Sequence, residues 1–198
     1  MVIYFVRHGK DDENYRGGWS NLPLIEEGKE QVSKLAIYLE KNIGEFNIQK
    51  IISSDLKRAK QTAEIINENL NLPIEYTKRL REIDNGEIAG MLNSEVEKRF
   101  PGIYYKSLKI NERYPGGESP IEFYNRIIKD FEDILEENKN IGNLMIITHS
   151  GVINIIYRYI NNMKWSNKIK SIEIDNASIY SLRIENNKRK FELENFRD

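Results

Sequence analysis

VIYFVRHG, residues 2–9, opens the chain with five mostly apolar residues that run straight into Arg7, His8 and Gly9. Val2–Val6 is short, β-branched and aromatic, and reads as a buried strand. Leu144–Thr148 repeats the pattern: it ends in His149-Ser150-Gly151 and enters an apolar helix through Tyr159. Between the two, strands alternate with helices. Val32, Leu35, Ala36, Leu39 and Ile43 recur at helical spacing, so the helix over 26–42 packs one face on a sheet. Ile51 and Ile52 form a second strand ended by Ser53 and Ser54. Asp55 then reads as an N-cap for the stripe Leu56, Ala59, Ala63, Ile66 and Leu70. Leu72–Tyr76 suggests a short strand. Ser119-Pro120-Ile121-Glu122 carries the capping-box spacing and opens a helix through Leu135. Alternation over 171–196, broken at Glu185-Asn186-Asn187-Lys188, reads as a β-hairpin. The expected fold is α/β: a three-layer α/β/α sandwich on a mostly parallel central sheet. Residues 1–198 are expected to form one domain. Between Arg79 and Gly117 the periodicity weakens at Gly86, Gly90, Pro101, Gly102 and Pro115, marking a small inserted lobe with one short helix near 94–100.

Composition narrows the function classes. Among 198 residues, 39% are hydrophobic and 31% charged, which suits a packed core under a solvated surface. Lys plus Arg is 30 against 31 Asp plus Glu, so bulk charge supports neither a nucleic-acid nor a membrane partner. The chain has no cysteine, which rules out disulfides and thiolate metal sites. No apolar run approaches a membrane span, and no basic leader precedes Val2, so a cytoplasmic protein is expected. None of these features sets an oligomeric state.

The chemistry concentrates at strand ends. In open α/β sheets ligands bind beyond the carboxyl ends of strands, where His8 and His149, the chain's two histidines, are both placed. Each is followed within two residues by glycine, which admits close backbone approach. His149 precedes a helix N-terminus, which favours an anion. Arg7 adds a planar donor fork matched to phosphate, and Arg58 lies in the first turn after another strand end. If these strands are neighbours, two arginines and two histidines converge on one phosphoryl-binding point. They would be poor ligands for a divalent cation, because guanidinium charges oppose it; neither a metal nor another cofactor is expected. A neutral, oriented histidine can act as a covalent nucleophile, and cationic donors stabilise a phosphoryl group in flight.

Ordered blocks across most of the chain resemble the histidine phosphatase, or phosphoglycerate mutase-like, superfamily. They are Arg7-His8-Gly9, Asn14, Leu22-Pro23-Leu24 with Gly28, the run Ser53-Ser54-Asp55-Leu56-Lys57-Arg58-Ala59 continuing through Ala63, Leu80-Arg81-Glu82-Ile83, Pro115-Gly116-Gly117-Glu118-Ser119, and His149-Ser150-Gly151. The resemblance implies that His8 becomes phosphohistidine. It implies that Arg7, Asn14, Arg58 and His149 hold the phosphate, and that Glu82 is the general acid and base. Three positions depart from the pattern. Lys10-Asp11-Asp12 follows Arg-His-Gly where a Glu or Gln and then a hydroxyl residue are common. Ile25 stands where a helix-capping Thr or Ser is common, and Asn154 stands near a frequent arginine.

The resemblance implies a metal-independent phosphomonoesterase acting on a small phosphorylated metabolite, with an α-ribazole phosphate-type substrate as one candidate. A cofactor-dependent phosphoglycerate mutase and a non-catalytic phosphate- or phosphopeptide-binding module are the alternatives. In the lobe, Lys98, Arg99, Lys106, Lys109 and Arg113 nearly balance Asp84, Glu87, Glu95, Glu97, Glu112 and Glu118, which argues against a polyanionic substrate. Tyr104, Tyr105 and Tyr114 are candidates to stack on a ring.

Overall fold

In the computed structural model, which describes residues 1–186 and 188–192, the strands are β1 (Val2–Arg7), β2 (Ile48–Ser54), β3 (Ile74–Thr77), β4 (Asn143–Thr148), β5 (Ile179–Glu185) and β6 (Lys188–Glu192). They form one sheet in the order β3-β2-β4-β1-β5-β6. β3, β2, β4 and β1 are parallel; β5 runs antiparallel to β1, and β6 antiparallel to β5. The sheet is therefore mixed and mostly parallel. Its helices are α1 (Glu26–Lys41), α2 (Ile43–Phe46), α3 (Lys57–Leu70), α4 (Asn93–Arg99), α5 (Pro120–Asn138) and α6 (Ser150–Ile160).

Side chains alternate across a strand, and here both faces are apolar because both are covered. Tyr4, Val6, Ile51, Met145 and Ile147 join Val32, Leu35 and Leu39 of α1 and Ala59, Ala63 and Ile66 of α3 in one core. The intervening residues Ile3, Phe5, Ile52, Leu144 and Ile146 join α5 and α6 through Phe123, Ile127, Phe131, Val152 and Ile156 in the other. Phe5 also stacks on Phe191 of the edge strand, ring centroids 5.1 Å apart.

The capping box at α5 is complete: the Ser119 hydroxyl accepts the Glu122 N–H, and the Glu122 carboxylate accepts the Ser119 N–H. Ile25 at the α1 N-cap makes no side-chain cap. The Asp55 cap is corrected. Leu56 occupies that position without a side-chain bond, and Asp55 instead takes Arg81 in a two-bond pair of 2.5 and 2.7 Å. Arg81 lies far along the chain, so the competing cation is visible only in three dimensions.

Strand β2 begins three residues before the Ile51-Ile52 pair, because Ile48 and Lys50 pair with β4 despite a register shift between them. The hairpin is β5–β6, starting at Ile179 rather than near 171; Asn187 of its turn and residues 193–198 lie outside the described residues. The lobe holds two single 3₁₀ turns, Lys78–Leu80 and Gly86–Ile88, and α4, with Leu80, Ile88, Val96, Leu108 and Tyr114 anchored in the α5/α6 core.

Candidate active site

Sheet order brings the strand ends together. β4 lies between β1 and β2, with Arg7 opposite Thr148 and Ser53 opposite Ile147. The His8 N–H donates to Thr148 O, carrying the β1–β4 ladder one residue past the strand. The His8 and His149 rings meet edge to face, centroids 5.0 Å apart, and both residues are buried.

The His8 tautomer is fixed by its partners. Nδ1 is 2.7 Å from Gly9 O, and a carbonyl can only accept, so Nδ1 carries the hydrogen. Nε2 then holds the lone pair, which accepts from Arg58 Nε at 3.2 Å. Burial, then the charges of Arg58 and Arg7, hold this imidazole well below the usual histidine range, so it is neutral near pH 7.

Arg58 comes from the first turn of α3 yet is 2% exposed. Its Nη1 donates to Ser20 O and Oγ at 3.1 and 3.2 Å, and its Nη2 to Gly18 O at 2.8 Å. Its backbone carbonyl accepts Thr62 Oγ1, which itself accepts the Gly9 N–H at 3.1 Å. One side chain of α3 thus ties the helix to the loop behind the first histidine. Arg7 donates from Nη1 to Ile174 O at 2.6 Å, and its buried Nε has no partner among the described residues.

His149 is the N-cap residue of α6, and its Nε2 lies 2.9 Å from Ser54 Oγ at the end of β2. Its Nδ1 is buried without a partner among the described residues. Burial, then Arg58, His8 and Arg7, also hold its charged form down. Glu82 approaches the same helix start: its Oε2 accepts the Gly151 N–H at 3.0 Å. A Cβ on residue 151 would lie 2.3 Å from Glu82 Oε1, so a side chain there would displace the carboxylate from this position. Gly9 works similarly against α1, where a Cβ would lie 2.5 Å from Gly28 O. Burial raises the Glu82 carboxyl above the usual range, against the Gly151 N–H and the Arg58 charge, which lower it. The Glu82 carbonyl is clamped by Trp19 Nε1 at 2.7 Å and Arg126 Nη2 at 3.1 Å.

Five of the six expected site residues therefore converge: Arg7, His8, Arg58, Glu82 and His149. Asn14 does not join them. It is exposed, its side-chain NH₂ donates to Asp12 Oδ1 at 2.8 Å, and its carbonyl accepts the Asn93 N–H. The Asp12 carboxylate also accepts the Asn14 backbone N–H at 3.0 Å, so a local turn holds the amide. Sequence reasoning missed Ser54, Thr62, Trp19 and Arg126. The adjacent Ser53-Ser54 pair at a strand end was the one usable signal; the others are defined by contacts distant in sequence.

Arg7 and Glu82 also line a cavity of about 390 Å³. Ile83, Tyr105, Phe123, Ile172 and Ile174 supply apolar wall, with Asn154 and Ser150 as polar groups. Of the three candidate tyrosines only Tyr105 lines it. Tyr114 is in the core, and Tyr104 is exposed, bonded to Glu97 and covered by Arg16 at 4.4 Å. Asn154 bridges Ser150 O and the Ile172 backbone, so it ties the cavity wall to α6.

Beyond the ends of parallel strands, two histidines, Arg7, Arg58 from α3 and the half-buried Glu82 thus form one cluster in an α/β fold. The family model described as "Histidine phosphatase superfamily (branch 1)" matches residues 3–197, and the chain belongs to that superfamily. It is 31% identical over 158 residues to the uncharacterized phosphatase PhoE of Bacillus subtilis (strain 168), covering 78% of this chain and 75% of the relative. It is 30% identical over 190 residues to phosphoserine phosphatase 1 of Hydrogenobacter thermophilus, covering 93% and 87%. The crystal structure of the α-ribazole phosphatase from Shigella flexneri shares the fold at a TM-score of 0.85 and 20% identity, over 99% of this chain and 96% of that one.

Proposed function

We propose that this chain is a phosphomonoesterase that works through a phosphohistidine on His8 Nε2 and needs no metal. The observation that carries the reading is the fixed tautomer: Gly9 O accepts a hydrogen bond from Nδ1, and Arg58 Nε orients Nε2. His8 Nε2 attacks phosphorus, the ester P–O bond breaks, and Glu82 gives its proton to the leaving alkoxide. Water then attacks phosphohistidine; Glu82 takes its proton, the P–N bond breaks, and inorganic phosphate leaves. The raised Glu82 carboxyl suits donation near neutral pH. Arg7 Nε and the Nδ1 of His149, both buried without partners among the described residues, supply donors to the phosphoryl oxygens. Ser54 presents its hydroxyl to His149 Nε2, which leaves Nδ1 to carry the hydrogen.

The leaving group is a small metabolite without a second phosphate. Arg7 is the one cation among the residues lining the cavity, and none of the lobe's lysines or arginines is there. A ring-bearing alcohol, such as that of an α-ribazole phosphate-type ester, suits the Tyr105 and Phe123 walls. We read the chain as one catalytic unit with residues 79–117 as its cover, in the cytoplasm, where phosphorylated metabolites reside.

The test is a metal-chelated panel of phosphate monoesters followed by phosphate release, including 3-phosphoglycerate with and without 2,3-bisphosphoglycerate. Free phosphate from esters with neutral alcohols is expected. Conversion to 2-phosphoglycerate would replace this reading with a mutase, and no turnover of any ester would leave a binding module.

A further inference from the structure

Asp11 stands in the departing Lys10-Asp11-Asp12 stretch, and its carboxylate reaches the phosphoryl site. Asp11 Oδ2 lies 3.5 Å from Arg58 Nε, the same nitrogen that holds His8 Nε2 at 3.2 Å. End to end, these distances put the carboxylate within 6.7 Å of the attacking nitrogen. The Asp11 side chain is 17% exposed, so solvent screens it incompletely.

Neither partner is free to leave. Residue 11 forms a β-bridge with Leu24 at the start of α1, and the preceding Lys10 O accepts the Ile25 N–H. The Lys10 N–H donates to Gln31 Oε1, and Lys10 Nζ pairs with Glu27 at 2.8 Å, so the loop is fastened to α1. Arg58 is held from behind by Ser20 and Gly18. Burial works against the charges of both Arg58 and Arg7, and Asp11 is the foremost group supporting them. Asp11 thus acts as counter-ion to both guanidiniums.

We propose that Asp11 is a positioning residue that competes with phosphate dianions for Arg58, keeping the site's affinity for substrate and inorganic phosphate low. The proposal rests on the reading of His8 and Arg58 as the phosphoryl site. A dianion at His8 meets a fixed like charge. In a loose transition state, charge moves onto the leaving oxygen and away from Asp11, so the penalty falls mainly on the bound ground states. Inorganic phosphate is then bound weakly and released readily.

The experiment measures inorganic phosphate binding by calorimetry, and p-nitrophenyl phosphate turnover, for the wild type, Asp11→Asn and Asp11→Ser. Two like charges some 6 Å apart at a partly wetted site change affinity by about tenfold. Both variants are expected to bind phosphate about tenfold more tightly, with a lower KM and a kcat that does not rise. Unchanged or weaker affinity in both would overturn the proposal, because a carboxylate that merely braces Arg58 predicts loosening on removal. Circular dichroism checks the fold of each; the hydroxyl of Asp11→Ser gives a second test should Asp11→Asn not fold. Arg58→Ala separates the two levels. Weakened binding there with unchanged Asp11 variants overturns the role of Asp11 alone, whereas phosphate affinity indifferent to Arg58 overturns the site reading and this proposal with it.

Discussion

The two histidines occupy equivalent positions and have opposite surroundings. Each follows a buried parallel strand, the strands are neighbours, and a glycine follows each within two residues. Yet His8 is bonded through both ring nitrogens, Nδ1 to its own Gly9 carbonyl and Nε2 to a cation, whereas His149 leans on a neutral hydroxyl and leaves Nδ1 unpartnered among the described residues. A ring fixed at both nitrogens, with its lone pair on Nε2, suits a nucleophile. A ring with an unused buried nitrogen suits a donor to an anion. The glycines differ likewise: Gly9 lets α1 pack against the loop after His8, and Gly151 admits Glu82. The residues just beyond each strand end, rather than the strand itself, divide the roles.

The sharpest way to break this comparison is to remove each ring in turn. His8→Ala is expected to lower kcat by at least about 10⁴-fold while circular dichroism stays native; His149→Asn should lower it by about 10²–10³-fold, the usual cost of one transition-state donor. Equal losses, or retained phosphatase activity in His8→Ala, would erase the division of roles.

Gly151→Ala probes the second glycine. The new methyl must push Glu82 aside, so esters of poor leaving groups should slow by about 10²-fold and p-nitrophenyl phosphate much less. A uniform loss on both ester types would mean that Glu82 is not the proton donor.

Both rings, though differently bonded, share a depressed affinity for protons, and this sets a pH dependence of stability. The unfolded chain takes up protons at its histidines below about pH 6.5, while the folded chain keeps them neutral. Stability therefore falls as pH drops from about 7 toward 5. Glu82 has the opposite sign: its raised carboxyl binds a proton more tightly when folded, so its ionisation costs stability as pH rises above the ordinary carboxylate range. Thermal melts across this range should show a shallower acid-side loss in His149→Asn than in the wild type. Parallel curves would contradict the buried, neutral state of that ring.

The smallest effect concerns the helix after the first histidine. Ile25→Thr should stabilise the fold by about 1 kcal/mol in denaturant melts by capping α1, with kcat unaltered. A change in kcat would show that the start of α1 reaches the chemistry as well as the fold.

The strand–histidine–glycine pattern, the helix stripes and the α5 capping box were legible because they are local: periodicity, capping and strand ends are set by neighbouring residues. The sequence by itself thus determined an α/β sheet with His8 and His149 at strand ends, and Arg58 one helical turn past another. Only the tertiary structure decided which of these groups meet. Strand order put β4 between β1 and β2, and Arg81 drew Asp55 off its helix. It also brought Asp11 to Arg58, across 47 positions of sequence. Hydrogen bonds and ion pairs act over a few ångströms of space, and spatial neighbours of that kind leave no mark on adjacent residues.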